Sequence, residues 1–266
     1  MPVRIVELTR AAQHHDLAAL FARTWRVDSA AELLPASTMT AIAFSGGYVV
    51  GAYEGDRMVG GGVGFLGRDN DGNDHLHSDL VGVDPAAQST GIGYALKRHQ
   101  RQWCAQRGIP EVRWTFDPLV ARNAYFNLNR LGARAVAYLK DFYGTLSDGI
   151  NAGERTDRLY VRWSTVDTVQ PTAAPTGDTT VVVDRVGGEP VVGPMPRGDG
   201  GPATSRTGDV LLVAVPTDIE AVRREDPELA RRWRQVVGDV LPAALEGGYR
   251  IEGMSKDGFY TLRYTL

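Results

Sequence analysis

The sequence predicts a mixed α/β (α+β) fold: a mostly antiparallel sheet flanked by helices, followed by a smaller C-terminal α/β piece. Three observations carry this expectation. Runs of strand character alternate with helical apolar spacing from Val3 to Trp163. Turn chemistry at Glu54-Gly55-Asp56-Arg57 joins two adjacent β-runs early in the chain. Thr, Pro, Gly and Asp then dominate between Ser164 and Thr180, and again from Gly187 to Gly208, which reads as loops and linkers. A boundary near residue 165 follows, giving domains 1–163 and 164–266.

Val3–Leu8 is a strand, and Leu17, Leu20, Phe21 and Trp25 repeat at helical spacing within Ala11–Trp25. Gly47–Tyr53 and Met58–Leu66 form a hairpin around the Gly-Asp turn. His75–Val83 is a strand ended by Asp84-Pro85, and Gly91–Arg107 is a helix stopped by Gly108. Val112–Phe116 is β-like. A helix then runs from Pro118, an N1 proline after Asp117, to a glycine cap at Gly132. Strands at Ala135–Tyr138 and Leu159–Trp163 close this half. Beyond it come strands Val181–Val186 and Asp209–Val215, helix Pro227–Glu246 capped by Asp226, and a hairpin of Tyr249–Met254 with Phe259–Tyr264.

Composition narrows the function classes. A net charge of -3 supplies no long-range field for nucleic acid or an anionic membrane, so neither is an expected partner. No stretch approaches the roughly 18 uninterrupted apolar residues of a spanning helix, and the acids and histidines of residues 1–25 leave no signal-peptide core. The single cysteine, Cys104, can form neither an internal disulfide nor a multi-cysteine metal site. A cytoplasmic monomer or homodimer without metal is expected.

The chemistry lies in Leu80-Val-Gly-Val-Asp-Pro-Ala-Ala-Gln-Ser-Thr-Gly-Ile-Gly93. A strand leads into a small-residue loop with glycines two apart, and a helix starts at once. Backbone N–H groups there can converge on an anion, assisted by the positive end of the helix dipole. A side chain at Gly91 or Gly93 would block close approach of phosphate oxygens. A tight strand-to-helix turn without a ligand is the plain alternative. Gly91-Ile-Gly93-Tyr-Ala-Leu96 lacks the third glycine of the dinucleotide fingerprint, and no Gly-Lys-Ser/Thr makes a P-loop.

What remains is Gln-x-x-Gly-x-Gly, Gln88 to Gly93, preceded by Val-Asp-Pro. It resembles the acetyl-CoA loop of the GNAT superfamily of N-acyltransferases. Asn123-Ala-Tyr-Phe-Asn-Leu-Asn-Arg-Leu-Gly132 is similar to the family's second motif, a helix ending in Leu-Gly beside the cofactor. The resemblance covers residues 1–163. Asp117-Pro118-Leu119 followed by Asn123-Ala124-Tyr125-Phe126-Asn127 also resembles a subgroup of predicted acyltransferases of about this length, some of which acylate amino acids.

The resemblance implies an enzyme that moves an acyl group, acetyl or succinyl, from acyl-CoA to the amine of a small molecule such as an amino acid. It implies that Leu80, Val81 and Val83 lie along the pantetheine arm, that Ser89, Thr90, Gly91, Ile92 and Gly93 hold the pyrophosphate, and that Gln88 steadies the loop. Asn123 would meet the pantetheine or the substrate. His77 occupies the position of the usual base, and alternation along the strand puts Asp79 on its face; a polar, half-exposed strand face is the bland alternative. The family's tyrosine acid falls on Leu128, so Tyr125, Tyr138 and Tyr143 are the candidate substitutes, or simply packed aromatics. The missing tyrosine also admits a non-catalytic acyl-CoA-binding regulatory module. A protein or polycationic acceptor ranks lower because no acidic cluster is visible.

Other features have two readings each. Asn123, Asn127 and Arg130 form a polar stripe or a solvated face. Gly60-Gly61-Gly62 marks close approach or a bulge. Lys97, Arg98 and Arg101 contact the 3′-phosphate of CoA or stand in solvent. Arg223, Arg224, Arg231, Arg232 and Arg234 bind a carboxylate or pair on the surface with Glu220, Glu225 and Glu228. Cys104 is buried and inert, and Ala230, Trp233, Val237 and Leu241 are core or a dimer contact.

Overall fold

A computed structural model describes residues 3–29, 33–144, 154–167, 178–195 and 210–265. Most of the two expected linkers lies outside these residues. The chain forms two compact units: 1–114 with 148–150 and 164–167, and 115–147 with 151–163 and 168–266. Compactness thus divides the chain at Trp114, whereas the composition of the linker placed a boundary near residue 165.

The first unit contains β1 (Arg4–Glu7), α1 (Ala11–Trp25), α2 (Ala36–Phe44), β2 (Tyr48–Glu54), β3 (Arg57–Arg68), β4 (Asp74–Val83), a 3-10 turn (Pro85–Ala87), α3 (Ile92–Gln106) and the start of β5 (Glu111–Phe116). Its strands lie in the order β1-β2-β3-β4-β5, antiparallel except for the last pair. The sequence reading matches these elements except for α2, whose apolar and hydroxyl residues alternate with no clear helical stripe.

Gly60 and Gly61 are where helices seat on this sheet. A β-carbon at Gly61 would lie 2.3 Å from the Leu17 side chain of α1, and one at Gly60 3.2 Å from Ile92 of α3. The register against β2 also shifts between Met58 and Gly60, so Val59 is the extra residue of a bulge. Both sequence readings of the glycine run therefore hold, with helices rather than a ligand making the close approach. Leu17, Leu20, Phe21, Met39, Val49 and Val63 form the buried cluster between α1, α2 and the sheet.

The second unit contains the end of β5, α4 (Ala121–Ala124), a π-helical segment (Tyr125–Arg130), β6 (Arg134–Leu139), β7 (Arg158–Ser164), β8 (Thr179–Val186), β9 (Glu189–Val192), β10 (Val210–Ala214), α5 (Ile219–Glu225), α6 (Pro227–Glu246), β11 (Tyr249–Met254) and β12 (Phe259–Tyr264). A five-stranded sheet runs β11-β12-β10-β8-β9. Strand β9 lies inside a stretch expected to be loop: Gly187 and Gly188 at positive φ turn the chain back so that β9 pairs with β8. On α6, Asp226 accepts from Leu229 N–H at 2.9 Å, and Ala230, Trp233, Val237 and Leu241 are fully buried, so the apolar stripe is core.

The single helix expected from Pro118 to Gly132 is instead one α turn followed by the π segment. Leu131 N–H donates to Phe126 C=O, five residues back, at 3.0 Å. The wider turn breaks three-to-four-residue spacing, so Asn127 is buried while Asn123 and Arg130 are exposed. The polar stripe does not form.

Two arginines expected at the surface are core residues. Arg223 and Arg234, each 4% exposed in side chain, both donate to the Asp117 carboxylate, at 2.7 Å from Arg223 and 2.8 Å from Arg234. Glu154 takes a second contact from each, at 3.2 and 3.6 Å. Asp117 also accepts from Leu119 N–H at 2.9 Å, which ties α5 and α6 to the turn after β5. Arg231 and Arg232 are surface partners of Glu228 and Glu189.

Burial by itself would raise the Asp117 carboxyl, but Arg234 and Arg223 outweigh it and hold the group well below the usual carboxylate range. A depressed folded pKa gives stability that is present above the unfolded value of about 3.9 and is lost as pH falls below it. Asp117→Ala, which leaves two buried guanidiniums short of an acid, is expected to cost about 3–5 kcal/mol. Its denaturation midpoint should also change less than that of the parent on acidification from neutral pH. An unchanged midpoint at neutral pH would show that Asp117 does not hold these elements together.

Candidate active site

The loop between β4 and α3 is an exposed cradle of backbone. Asp84 accepts from Ala86 N–H at 3.0 Å, fixing the 3-10 turn, and pairs with Arg57 at 3.3 Å and Arg23 at 3.7 Å. Gln88 Nε2 donates to Val83 C=O at 3.2 Å, and Thr90 Oγ1 donates to Ala87 C=O at 2.7 Å. Gln88 thus bonds across the loop. Ser89 and Gly91 both take positive φ, 65° and 92°, which turns the chain sharply into the helix.

Gly91 caps α3 with no side-chain hydrogen bond, and no acid stands in the first helical turn. The amides of that turn therefore keep their positive end for an outside anion. A β-carbon at Gly91 would meet nothing within 4 Å, and one at Gly93 only Val83 at 3.9 Å. The fold does not use the space above Gly93, and the φ of Gly93 is not left-handed. An anion can enter there.

Strand β4 presents an open edge beside this cradle. Its parallel pairing with β5 comprises Leu76 with Val112 and His77 with Arg113, and stops there. On the other edge, its register against β3 shifts between Ser78 and Leu80, which makes Asp79 a bulge residue. Past the bulge Leu80 packs toward the α1–α2 cluster, and a side chain at Gly82 would strike Trp25 and Phe21. Leu80 to Val83 therefore follow β3 while leaving β5 behind, so the β5-facing backbone of this stretch has no strand beside it.

His77 is half-buried on β4 and stacks on Phe65, the residue opposite it on β3, with ring centres 5.0 Å apart and planes at 25°. Burial, the neighbouring His75 and Lys97 lower its pKa to about 4. Asp79 reaches solvent by area, yet the surrounding protein raises its carboxyl above the ordinary value. The strict alternation expected to place Asp79 beside His77 is interrupted at Asp79 itself, because a bulge residue resets the pleat.

The remaining candidates separate. Cofactor-strand and loop residues, His77 and Asp79 belong to the first unit; Asn123 and Tyr125 belong to the second. Tyr125 is half-buried in the π segment, and Leu128 is buried. Tyr138 donates to Asp157 at 2.7 Å, and burial and Asp157 raise its pKa, so it holds its proton tightly. Tyr143 is exposed and lies 3.1 Å from the Thr115 hydroxyl.

Lys97 is buried, and Arg101 is half-buried. Arg101 donates to the carbonyls of Ser164, at 2.8 Å, and Asp167. Lys97 is buried against Ser78, Gln100 and Trp114. The sequence carried a signal for it: Lys97 lies on the face defined by Ile92, Leu96, Gln100 and Cys104, all of them buried. Cys104 is fully buried, and burial pushes its thiol up to about 12, which keeps it inert.

Strand β4, whose pairing with β5 ends at His77, thus runs through a small-residue loop into an uncapped helix start. Residues 14–129 match the family model described as Acetyltransferase (GNAT) family. Residues 14–129 therefore carry a GNAT acetyltransferase domain, and the enzyme class that this domain indicates is an acyl-CoA-dependent N-acyltransferase.

Among solved structures, a GNAT-family acetyltransferase from Streptococcus pneumoniae is similar in fold at TM-score 0.50 and 12% identity, over 61% of this chain and 99% of that one. The ribosomal-protein-S18-alanine N-acetyltransferase from Escherichia coli aligns at TM-score 0.48 and 15% identity, over 63% and 96%. An aminoglycoside 6'-acetyltransferase type Ii aligns at 0.47 and 19%, over 62% and 99%. No curated protein matches. No helix among the described residues is long and apolar enough to cross a membrane.

Gly93→Ala separates a folding role from a binding role for the loop. The protein has room for the methyl group, and alanine favours a helix by up to roughly 1 kcal/mol over glycine. Thermal stability is expected to hold or rise, while acyl-CoA affinity falls at least about tenfold, a loss of roughly 1.4 kcal/mol. Unchanged affinity would remove the loop from the site.

Proposed function

We propose that the chain transfers an acyl group, acetyl or succinyl, from acyl-CoA to the amine of a small molecule such as an amino acid. The observation that carries this reading is the open β4 edge from Leu80 to Val83 leading directly into the uncapped amides at Gly91–Gly93. The pantetheine arm is an amide chain, so it can pair with Leu80, Val81 and Val83 as an added strand. The amides from Ser89 to Gly93 take the pyrophosphate.

Acyl transfer needs a neutral amine nitrogen. His77 is unprotonated across the neutral range and can take the ammonium proton directly or through water. Asp79, with its raised carboxyl, stands two residues further along the strand as a second acceptor of protons. Tyr125 is the helix motif's candidate for protonating the departing thiolate, and Asn123 its candidate contact to the pantetheine or acceptor. Residues 1–163 supply the donor site, and residues 164–266 shape the acceptor site. A cytoplasmic location suits the single inert thiol.

The buried Leu128, in the position of the family's tyrosine, favours one second reading, an acyl-CoA-binding module without turnover. Calorimetric titration with CoA, acetyl-CoA and succinyl-CoA, followed by thiol release across a panel of amino acids and amines, separates the two. Binding with release is the expected result. Binding without release would leave the regulatory module, and no binding would overturn both.

The His77 assignment predicts a pH profile. Because the imidazole titrates near pH 4, kcat/KM should fall on the acid side only as pH approaches about 4, rather than the 6.5 of an ordinary histidine. His77→Gln should abolish that limb and lower kcat/KM by on the order of a hundredfold, leaving CoA affinity unchanged. A variant that keeps the parent profile would show that another group is the base.

A further inference from the structure

The cleft holds a charge that the proposed chemistry does not use. Lys97, four residues into α3 from Gly93, is 4% exposed. Its Nζ donates to Ser78 Oγ at 3.0 Å and Gln100 Oε1 at 3.0 Å, and stands 3.6 Å from the centre of the Trp114 ring. Ser78 and Trp114 are the residues that follow the last paired rung, His77 with Arg113. The ammonium therefore occupies the apex where β4 and β5 part.

None of these three partners is an acid. A buried ammonium without a carboxylate is costly, and leucine or methionine would pack there more cheaply. Gln100 turns its carbonyl toward Lys97 although this leaves Gln100 Nε2 buried without a partner, an arrangement that suits only a donor at Lys97. An ammonium has no lone pair to offer, so Ser78 Oγ accepts from Lys97 and keeps its own O–H to donate elsewhere.

The acyl-CoA reading, on which this inference rests, places the sulfur close by. An arm that starts at Gly91–Gly93 and pairs backwards along Val83 to Leu80 covers roughly 13 Å of strand and ends at the Asp79 bulge, beside Ser78. We propose that Lys97, acting through the Ser78 hydroxyl, supplies the proton for the departing thiolate of coenzyme A in place of Tyr125, the helix motif's candidate for that step.

The amine, its ammonium proton already passed through His77 to solvent, forms the new C–N bond, and its nitrogen then gives one further proton to His77. The C–S bond breaks with its electron pair on sulfur. Ser78 passes its hydroxyl proton to that sulfur as Lys97 replaces it, leaving a neutral lysine amine. Solvent exchange then removes the proton from His77 and restores one to Lys97, so the balance closes without another reactant.

The charge setting agrees. Burial lowers Lys97 to about 7, with Cys104 the ionisable group that opposes the shift. Cys104 faces it from α3 and His77 from β4, and both are neutral at pH 7, so neither holds the lysine's proton by charge.

The test uses the full chain with CoA and acetyl-CoA. For the parent, kcat is expected to fall as pH rises above about 7, because the donor is then deprotonated. Lys97→Met should abolish that limb and lower kcat by on the order of a hundredfold, with acyl-CoA affinity retained. Ser78→Ala, which leaves the ammonium in place, should lose the same activity and keeps the test available if the methionine variant folds poorly. Thiolate absorbance of bound CoA gives a readout that needs no acceptor: the bound thiol should titrate about one pH unit or more higher in Lys97→Met, a tenfold change in its ionisation. A variant that keeps both the basic limb and the thiol titration would overturn the inference while leaving the acyl-CoA reading intact. Failure of the parent to bind CoA would overturn both.

Discussion

The site depends on β4 losing one neighbour while keeping the other. Its pairing with β5 stops at His77, yet its ladder with β3 continues to Val83 by absorbing Asp79 as a bulge. A strand interior with an open edge is normally a liability, because each backbone amide and carbonyl forgoes a partner. Here the open edge runs for the length of an extended amide chain and ends at a helix start that is likewise uncapped. On the proposed reading one ligand satisfies both sets of groups, and the bulge, the splay and the glycine loop then form a single device.

Packing around that device follows from it. The helices must come close enough to brace a sheet whose strands separate, and Gly60 and Gly61 give them the room. Lys97 occupies the wedge that α3 leaves between Ser78 and Trp114, and the stacked Phe65 and His77 close β3 over β4 just before the bulge. In the second unit a different constraint operates. Asp117 binds two buried arginines from α5 and α6, and the cost of desolvating those charges is offset only when all partners are in place.

Much of this was legible in the residues. Alternating strand and helix periods, the Gly-Asp hairpin and the Asp226-Pro227 helix start are local signals, and each lies where expected within a residue or two. The turn at Gln88 to Gly93 was legible for the same reason, since glycine and small residues dictate its backbone conformation locally. Strand β9 and helix α2 were missed because their residues lack a periodic pattern of their own; pairing with β8 and packing on α1 make them regular.

Sequence by itself determined most of the elements, the small-residue turn before α3 and the family that residues 14–129 match, because propensity, turn chemistry and motif spacing act over a few residues. Only the tertiary structure decided which charges are inside. Arg223 and Arg234 read as surface cations in a linear pattern, and their burial depends on Asp117 and Glu154, both distant in the chain. It also decided that Asp79 resets the pleat and that Tyr125 opens a π turn, since both depend on where the neighbouring backbone finds its hydrogen bonds. Long-range partners set these features, and no short window of sequence contains them.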